Sequence, residues 1–183
     1  MSSEGPTLES RECIFELSKK MTNGQMRRIG EPRLYTCDSP SCKSFKVEHN
    51  FTCILKTNKE CDSKTAAIID GRLTSEIIHG LITNGQGRGA HHAKFLINGS
   101  KDLEVVGILA GITNAGTHHG TADCEPCDVK GHMEGRLVGS IKKGPLLGSR
   151  IFASYMIFFE HSPEFTDTIA NGELEGIIVS DCT

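Results

Sequence analysis

The chain contains no tryptophan and only two tyrosines, and nothing in it is apolar for the roughly 18 residues that a membrane-crossing helix requires. The longest apolar run, Ile151 to Phe159, is interrupted by Ser154 and Tyr155 and is too short, so no membrane span is expected. Positive charge is not in excess either. Twenty Lys and Arg stand against 23 Asp and Glu, for a net charge of −3, which argues against a general electrostatic binder of nucleic acid. Lys19, Lys20, Arg27 and Arg28 cluster locally, but Glu9, Glu12, Glu16 and Glu31 dilute them, and a solvated helix face is the expected role. The opening Met-Ser-Ser-Glu-Gly-Pro has neither a basic n-region nor an apolar h-region, so no secretory signal is visible and a cytoplasmic location is expected.

What is abundant is glycine, cysteine and histidine: 20, eight and eight residues respectively. The glycines favour many turns over long helices. Residues 7 to 22 read as an amphipathic helix, with Leu8, Ile14, Phe15, Leu17 and Met21 near one face and Gly24 as terminator after Asn23. Arg33 to about Cys61 is rich in turn residues, lysine and cysteine, and reads as a Cys-rich connector. From Thr65 the texture becomes β, with strands expected near 66–71, 73–82, 91–97, 103–114, 132–142, 149–160 and 173–181. Asn84-Gly85, Asn98-Gly99 and Asn171-Gly172 mark turns, Asn98-Gly99 as a hairpin.

The expected fold is mainly β: an antiparallel β-barrel or sandwich over residues 65–183, after an N-terminal helix and Cys-rich connector over residues 1–64. A weak echo relates Gly71-Arg72-Leu73 with Ile77 and Gly80 to Gly135-Arg136-Leu137 with Ile141 and Gly144, too little to establish a repeat. The 151–159 strand is apolar on both faces, so burial on both sides is expected, with a subunit interface in a homo-oligomer as the second choice.

The sharpest chemical signal lies at 118–132. Cys124 and Cys127 can set two thiolates on one tetrahedral ion, and His132 with His119 or His118 can supply the remaining corners, which makes zinc the expected cofactor. Asp123 and Asp128 flank the thiols as candidate acceptors for imidazole N–H groups. Four protein ligands would make the site structural, and three would leave a position open for water and hydrolysis. The competing readings are a disulfide, a redox Cys-x-Pro-Cys and a plain polar loop. A weaker second cluster is Cys37, Cys42, Cys53 and Cys61, able to hold zinc or form two disulfides. Cys13 and Cys182 lie at opposite ends and are expected to be isolated, with a terminal pairing as the alternative.

Adjacent His91 and His92 should point to opposite faces of a strand, so one at most enters a given site. The Gly85-Gln-Gly-Arg-Gly89 run before them lacks the Lys-Ser/Thr of a phosphate loop and reads as a turn. His79 and His161 read as exposed strand-end residues. No paired carboxylates and no Ser-His-Asp arrangement can be named, so the enzyme question leans to no. The leading reading is a zinc-stabilised β-protein that binds an unknown ligand or protein partner. The alternatives are a metalloenzyme with an open metal at the 118–132 loop, and a disulfide-tied, self-assembling extracellular structural protein.

Overall fold

The computed structural model describes residues 11–36, 43–58, 63–83, 87–115, 129–161 and 168–182. They form eight strands: β1 (Arg11–Thr36), β2 (Lys43–Thr57), β3 (Gly71–Thr83), β4 (Gly87–Asn98), β5 (Glu104–Ala115), β6 (Val129–Lys143), β7 (Arg150–His161) and β8 (Thr168–Cys182). Each pairs antiparallel with its neighbour in the chain, and β1 also pairs with β8, so the sheet closes into an up-and-down barrel. Closure removes every sheet edge. A rung followed from Lys19 through Leu174, Tyr155, Gly135, Gly111, His91 and His79 to Val47 comes back to β1 beyond Ile29, the stagger that closure demands.

Alternation places the core. On β7, Ile151, Ala153, Tyr155, Ile157 and Phe159 are buried inside, while Phe152, Met156 and Phe158 lie on the partly exposed outer wall. The expected burial of this strand on both faces is therefore corrected. Its outer face joins Ile108 and Val138 in an apolar strip across neighbouring strands, and no second layer covers it among the described residues. Three strands alternate large and small on the inner face: Gly107-x-Leu109-x-Gly111, Gly135-x-Leu137-x-Gly139 and Gly172-x-Leu174-x-Gly176. The Phe95 ring uses space that these glycines leave: a Cβ at Gly107 or Gly139 would stand 2.6 or 2.8 Å from its ring carbons.

Residues 11–22 of the expected N-terminal helix are instead the first part of β1, and residues 7–10 lie outside the described residues. Leu17, Lys19 and Met21 turn inward at a period of two, and Ile14, assigned to the helix's apolar face, is exposed on the outer wall. Gly24 does not terminate a helix. It lies at the register shift between Met21 and Gly24, where Asn23 takes φ 53°. β1 and β2 are staves of the same closed sheet as the rest, so the division expected at residue 64 falls within the connection between two hydrogen-bonded strands. Residues expected as a strand at 66–71 form instead a short 3₁₀ turn, Ala66–Ile69, with Ala66 and Ile69 buried. Asn98-Gly99 does open the β4–β5 hairpin, closed by Gly99 N–H donating to the Leu103 carbonyl at 2.9 Å. Asn171-Gly172 is not a turn; it lies inside β8, paired with Phe158 and Ile157. The 71–80 and 135–144 echo falls on β3 and β6, which run in opposite directions, so it relates no equivalent strands.

The 3₁₀ turn sits at the end of the barrel where β2 finishes and β3 begins, hereafter the closed end. There the basic cluster expected on a solvated helix face is split. Lys20 and Arg27 are exposed, but Lys19 is fully buried. Its Nζ donates to Asp70 Oδ1 at 2.8 Å and to Thr57 Oγ1 at 3.0 Å, and Thr57 Oγ1 donates to Asp70 at 2.8 Å. Burial pushes the Asp70 carboxyl up, but these hydrogen bonds and the Lys19 charge outweigh it and hold the group below the usual carboxylate range. Cys13 and Cys182 are not isolated but take the alternative terminal pairing, a disulfide across the β1–β8 seam with Cα atoms 5.3 Å apart.

Candidate functional site

At the opposite end the inner face turns polar. His79 on β3 pairs in register with His91 on β4, His91 with Gly111 on β5, Gly111 with Gly135 on β6, and Gly135 with Tyr155 on β7. One rung therefore carries two imidazoles, two glycines and a phenol. The glycines allow the phenol to pass along the wall: a Cβ at Gly135 would stand 2.6 Å from the Tyr155 hydroxyl. Tyr155 so reaches His91 Nε2 and hydrogen-bonds to it. Thr113, two residues beyond Gly111 on the same face, has its Oγ1 2.9 Å from the Nδ1 of both His79 and His91. His49 on β2 completes the group, its ring edge-on to His79 with centroids 5.1 Å apart. All five side chains are buried.

Burial sets the charge of two of them, His91 and Tyr155. It pushes His91 down to about 4, with the nearby His92 adding to the effect, so the ring is neutral at pH 7. Burial also pushes the Tyr155 phenol up, which keeps its proton in place. A neutral imidazole has one N–H and one bare nitrogen, so the chain has a direction. If Tyr155 O–H donates to His91 Nε2, then His91 Nδ1–H donates to Thr113, and Thr113 O–H donates to His79 Nδ1. In the reverse sense His79 Nδ1–H donates to Thr113, Thr113 O–H to His91 Nδ1, and His91 Nε2–H to the Tyr155 oxygen. The groups change polarity together, and a proton gained or lost at one end resets the other. Beyond them towards the closed end, Ser75 faces inward and is buried, with no hydrogen-bond partner for its hydroxyl among the described residues.

His91 and His92 do point apart, one buried within and one exposed outside. His79, expected at an exposed strand end, is instead 3% exposed, inside the barrel. The signal that finds it is phase. Ser75 and His79 share the alternation of Leu73 and Ile77, and Thr113 shares that of Leu109, so a polar residue in the inward phase of a β-strand marks the site.

The metal candidates are not brought together among the described residues. Cys124, Cys127, His118 and His119 lie outside them, in the connection between Ala115 and Val129. His132 is on the outer wall, its Nε2 3.0 Å from the Asn114 amide nitrogen, which donates to it, and its ring beside Phe158. Coordination through Nε2 would have to displace that amide. Cys37, Cys42 and Cys61 also lie outside the described residues, the first two in the β1–β2 connection and the third in the β2–β3 connection, which leave opposite ends of β2. Cys53 is buried inside, and burial pushes its thiol up to about 12, so it stays protonated at neutral pH. Among the described residues no three His, Cys, Asp or Glu side chains are placed to hold a metal ion. No protein-family model matches the chain, and no curated protein or solved structure matches it.

Proposed function

We propose that this chain is a binding barrel whose interior takes one small molecule at the His49, His79, His91, Thr113 and Tyr155 cluster. An eight-stranded barrel has an interior that its own side chains can fill or that can hold one small ligand. The observation that carries the reading is the buried polar chain itself. Leu, Val and Phe would fill the same volume without needing every donor and acceptor matched, and replacing both partners of a buried hydrogen bond by apolar groups is often neutral or stabilising. A few convergent polar groups in an apolar interior are what orients a ligand.

The test separates recognition from structure. The quadruple substitution His79→Leu, His91→Leu, Thr113→Val and Tyr155→Phe removes the chain and keeps the volume. Its Tm is expected to equal or exceed that of the wild type in thermal unfolding. A fall of more than about 10 °C, several kcal/mol for a chain of this size, would show that the cluster serves the fold instead.

A second reading keeps zinc on Cys124 and Cys127 with His118 or His119. It is favoured by one observation: Ala115 and Val129, between which this segment runs, lie at the polar end of the barrel. Elemental analysis of tag-free protein should then find one zinc per chain, and its absence from metal-replete preparations would remove the reading. The Cys13–Cys182 bond supports an oxidising, extracellular location over the cytoplasm.

A further inference from the structure

We infer that the outer wall over β5, β6 and β7 is an isologous interface with a second copy of this chain, in which Arg136 and Glu134 pair across a two-fold axis. Nothing in this depends on what the interior binds.

The wall carries an apolar surface. Ile108 and Ile112 of β5, Val138 of β6, and Phe152, Met156 and Phe158 of β7 are exposed on three adjoining strands. A contiguous exposed apolar patch marks a contact with another molecule. The charges around and within it say which molecule. At its margins they are matched inside the chain: Lys130 with Glu160 at 3.2 Å, Lys143 with Glu104 at 3.0 Å, and Arg150 with Glu12 at 3.5 Å. At its centre Glu134 and Arg136 are exposed on β6, and neither forms an ion pair among the described residues. The cross-strand neighbours of Arg136 are Ala110 and Ser154, and those of Glu134 are Ile112 and Met156, all uncharged. One unmatched charge of each sign, two residues apart on one strand, is satisfied by its own inverted copy.

The register defines the axis. Gly111, Gly135 and Tyr155 form one rung, and a two-fold along that rung in the plane of contact inverts each strand about it. Arg136 of each copy then lies over Glu134 of the other, giving two ion pairs beside the axis. Phe152 and Phe158 stand three residues to either side of Tyr155, so they come over one another. Val138 and Ile108 come over His132 and Asn114. Those two can be covered at little cost, because the Asn114 amide already donates to His132 Nε2 at 3.0 Å. A two-fold contact requires this self-complementarity. Glu175 meets the like charge of Glu173 on β8, but there the curved wall turns away and water and salt screen the pair.

Sedimentation velocity of the whole protein from micromolar to submillimolar concentration tests the interface. The wild type should rise from 19.9 kDa towards twice that mass. Arg136→Glu sets Glu over Glu, and Glu134→Arg sets Arg over Arg, so each should weaken the dimer at least about tenfold. The double exchange, Arg136→Glu with Glu134→Arg, should restore it. All three alter exposed side chains only, and far-UV circular dichroism of the dilute monomers should be unchanged. A wild type that stays at 19.9 kDa throughout overturns the inference and leaves the strip to a partner of different chemistry. A dimer that both single variants leave intact overturns it too, by moving the contact to another face. Single variants that weaken a dimer which the double exchange does not restore overturn the two-fold arrangement.

Discussion

The two ends of the barrel handle buried polar groups in opposite ways. At the closed end a full charge, Lys19, is buried and matched at once by Asp70 and Thr57, beside a 3₁₀ turn and below a seam tied by Cys13 and Cys182. At the other end burial keeps His91 and Tyr155 neutral, and Thr113 links His91 to His79 in a chain that holds in either direction, set over glycines. The first arrangement has one solution and fixes it. The second has two solutions of similar kind. A protein that needed only a plug at each end would have no use for the second, and this difference is the physical ground for the proposal that one end serves stability and the other recognition.

The comparison can be broken most severely at the seam. β1–β8 is the pairing that closes the barrel, and its disulfide spans 169 residues, so reduction frees a large loop in the unfolded chain. Reduction, or Cys13→Ser with Cys182→Ser, should lower stability by about 4 kcal/mol in urea unfolding. An unchanged midpoint would show that the seam holds without it. Next in size is Asp70→Asn, which takes the carboxylate from a fully buried ammonium and should cost about 3 kcal/mol. Lys19→Met, which removes the charge itself, should cost less. If the two variants cost the same, the pairing is not what the closed end rests on.

Much of the fold was legible in the sequence. From Gly71 on, alternation and glycine turns put the strands within a few residues of where they lie, and the barrel was one of the two architectures expected. The first strand was misread because Ile14, Phe15, Leu17 and Met21 satisfy a helical stripe nearly as well as a two-residue alternation. Only the hydrogen bonds to β2 and β8, far along the chain, decide between them. Lys19 shows the same limit: no local pattern reveals that its partner is Asp70. The site was half legible. The opposed directions of His91 and His92 follow from strand geometry alone. The meeting of His91 with Tyr155 does not, since it depends on two glycines in register on the intervening strands.

The central claim, a neutral and hydrogen-bonded polar chain inside one end, is tested most directly by following the ring nitrogens of His91 by NMR from pH 8 to pH 4. The account predicts one N–H and one bare nitrogen until the pH approaches about 4, because burial opposes the charged ring. In the unfolded chain a histidine takes up its proton near 6.5, so the unfolded state binds more protons between those values. Stability should therefore be full above about pH 6.5 and fall by roughly 2 to 3 kcal/mol as the pH drops to about 4. A His91 that titrates near 6.5, with no loss of stability over that range, would mean that the ring meets solvent and that the chain of hydrogen bonds does not exist.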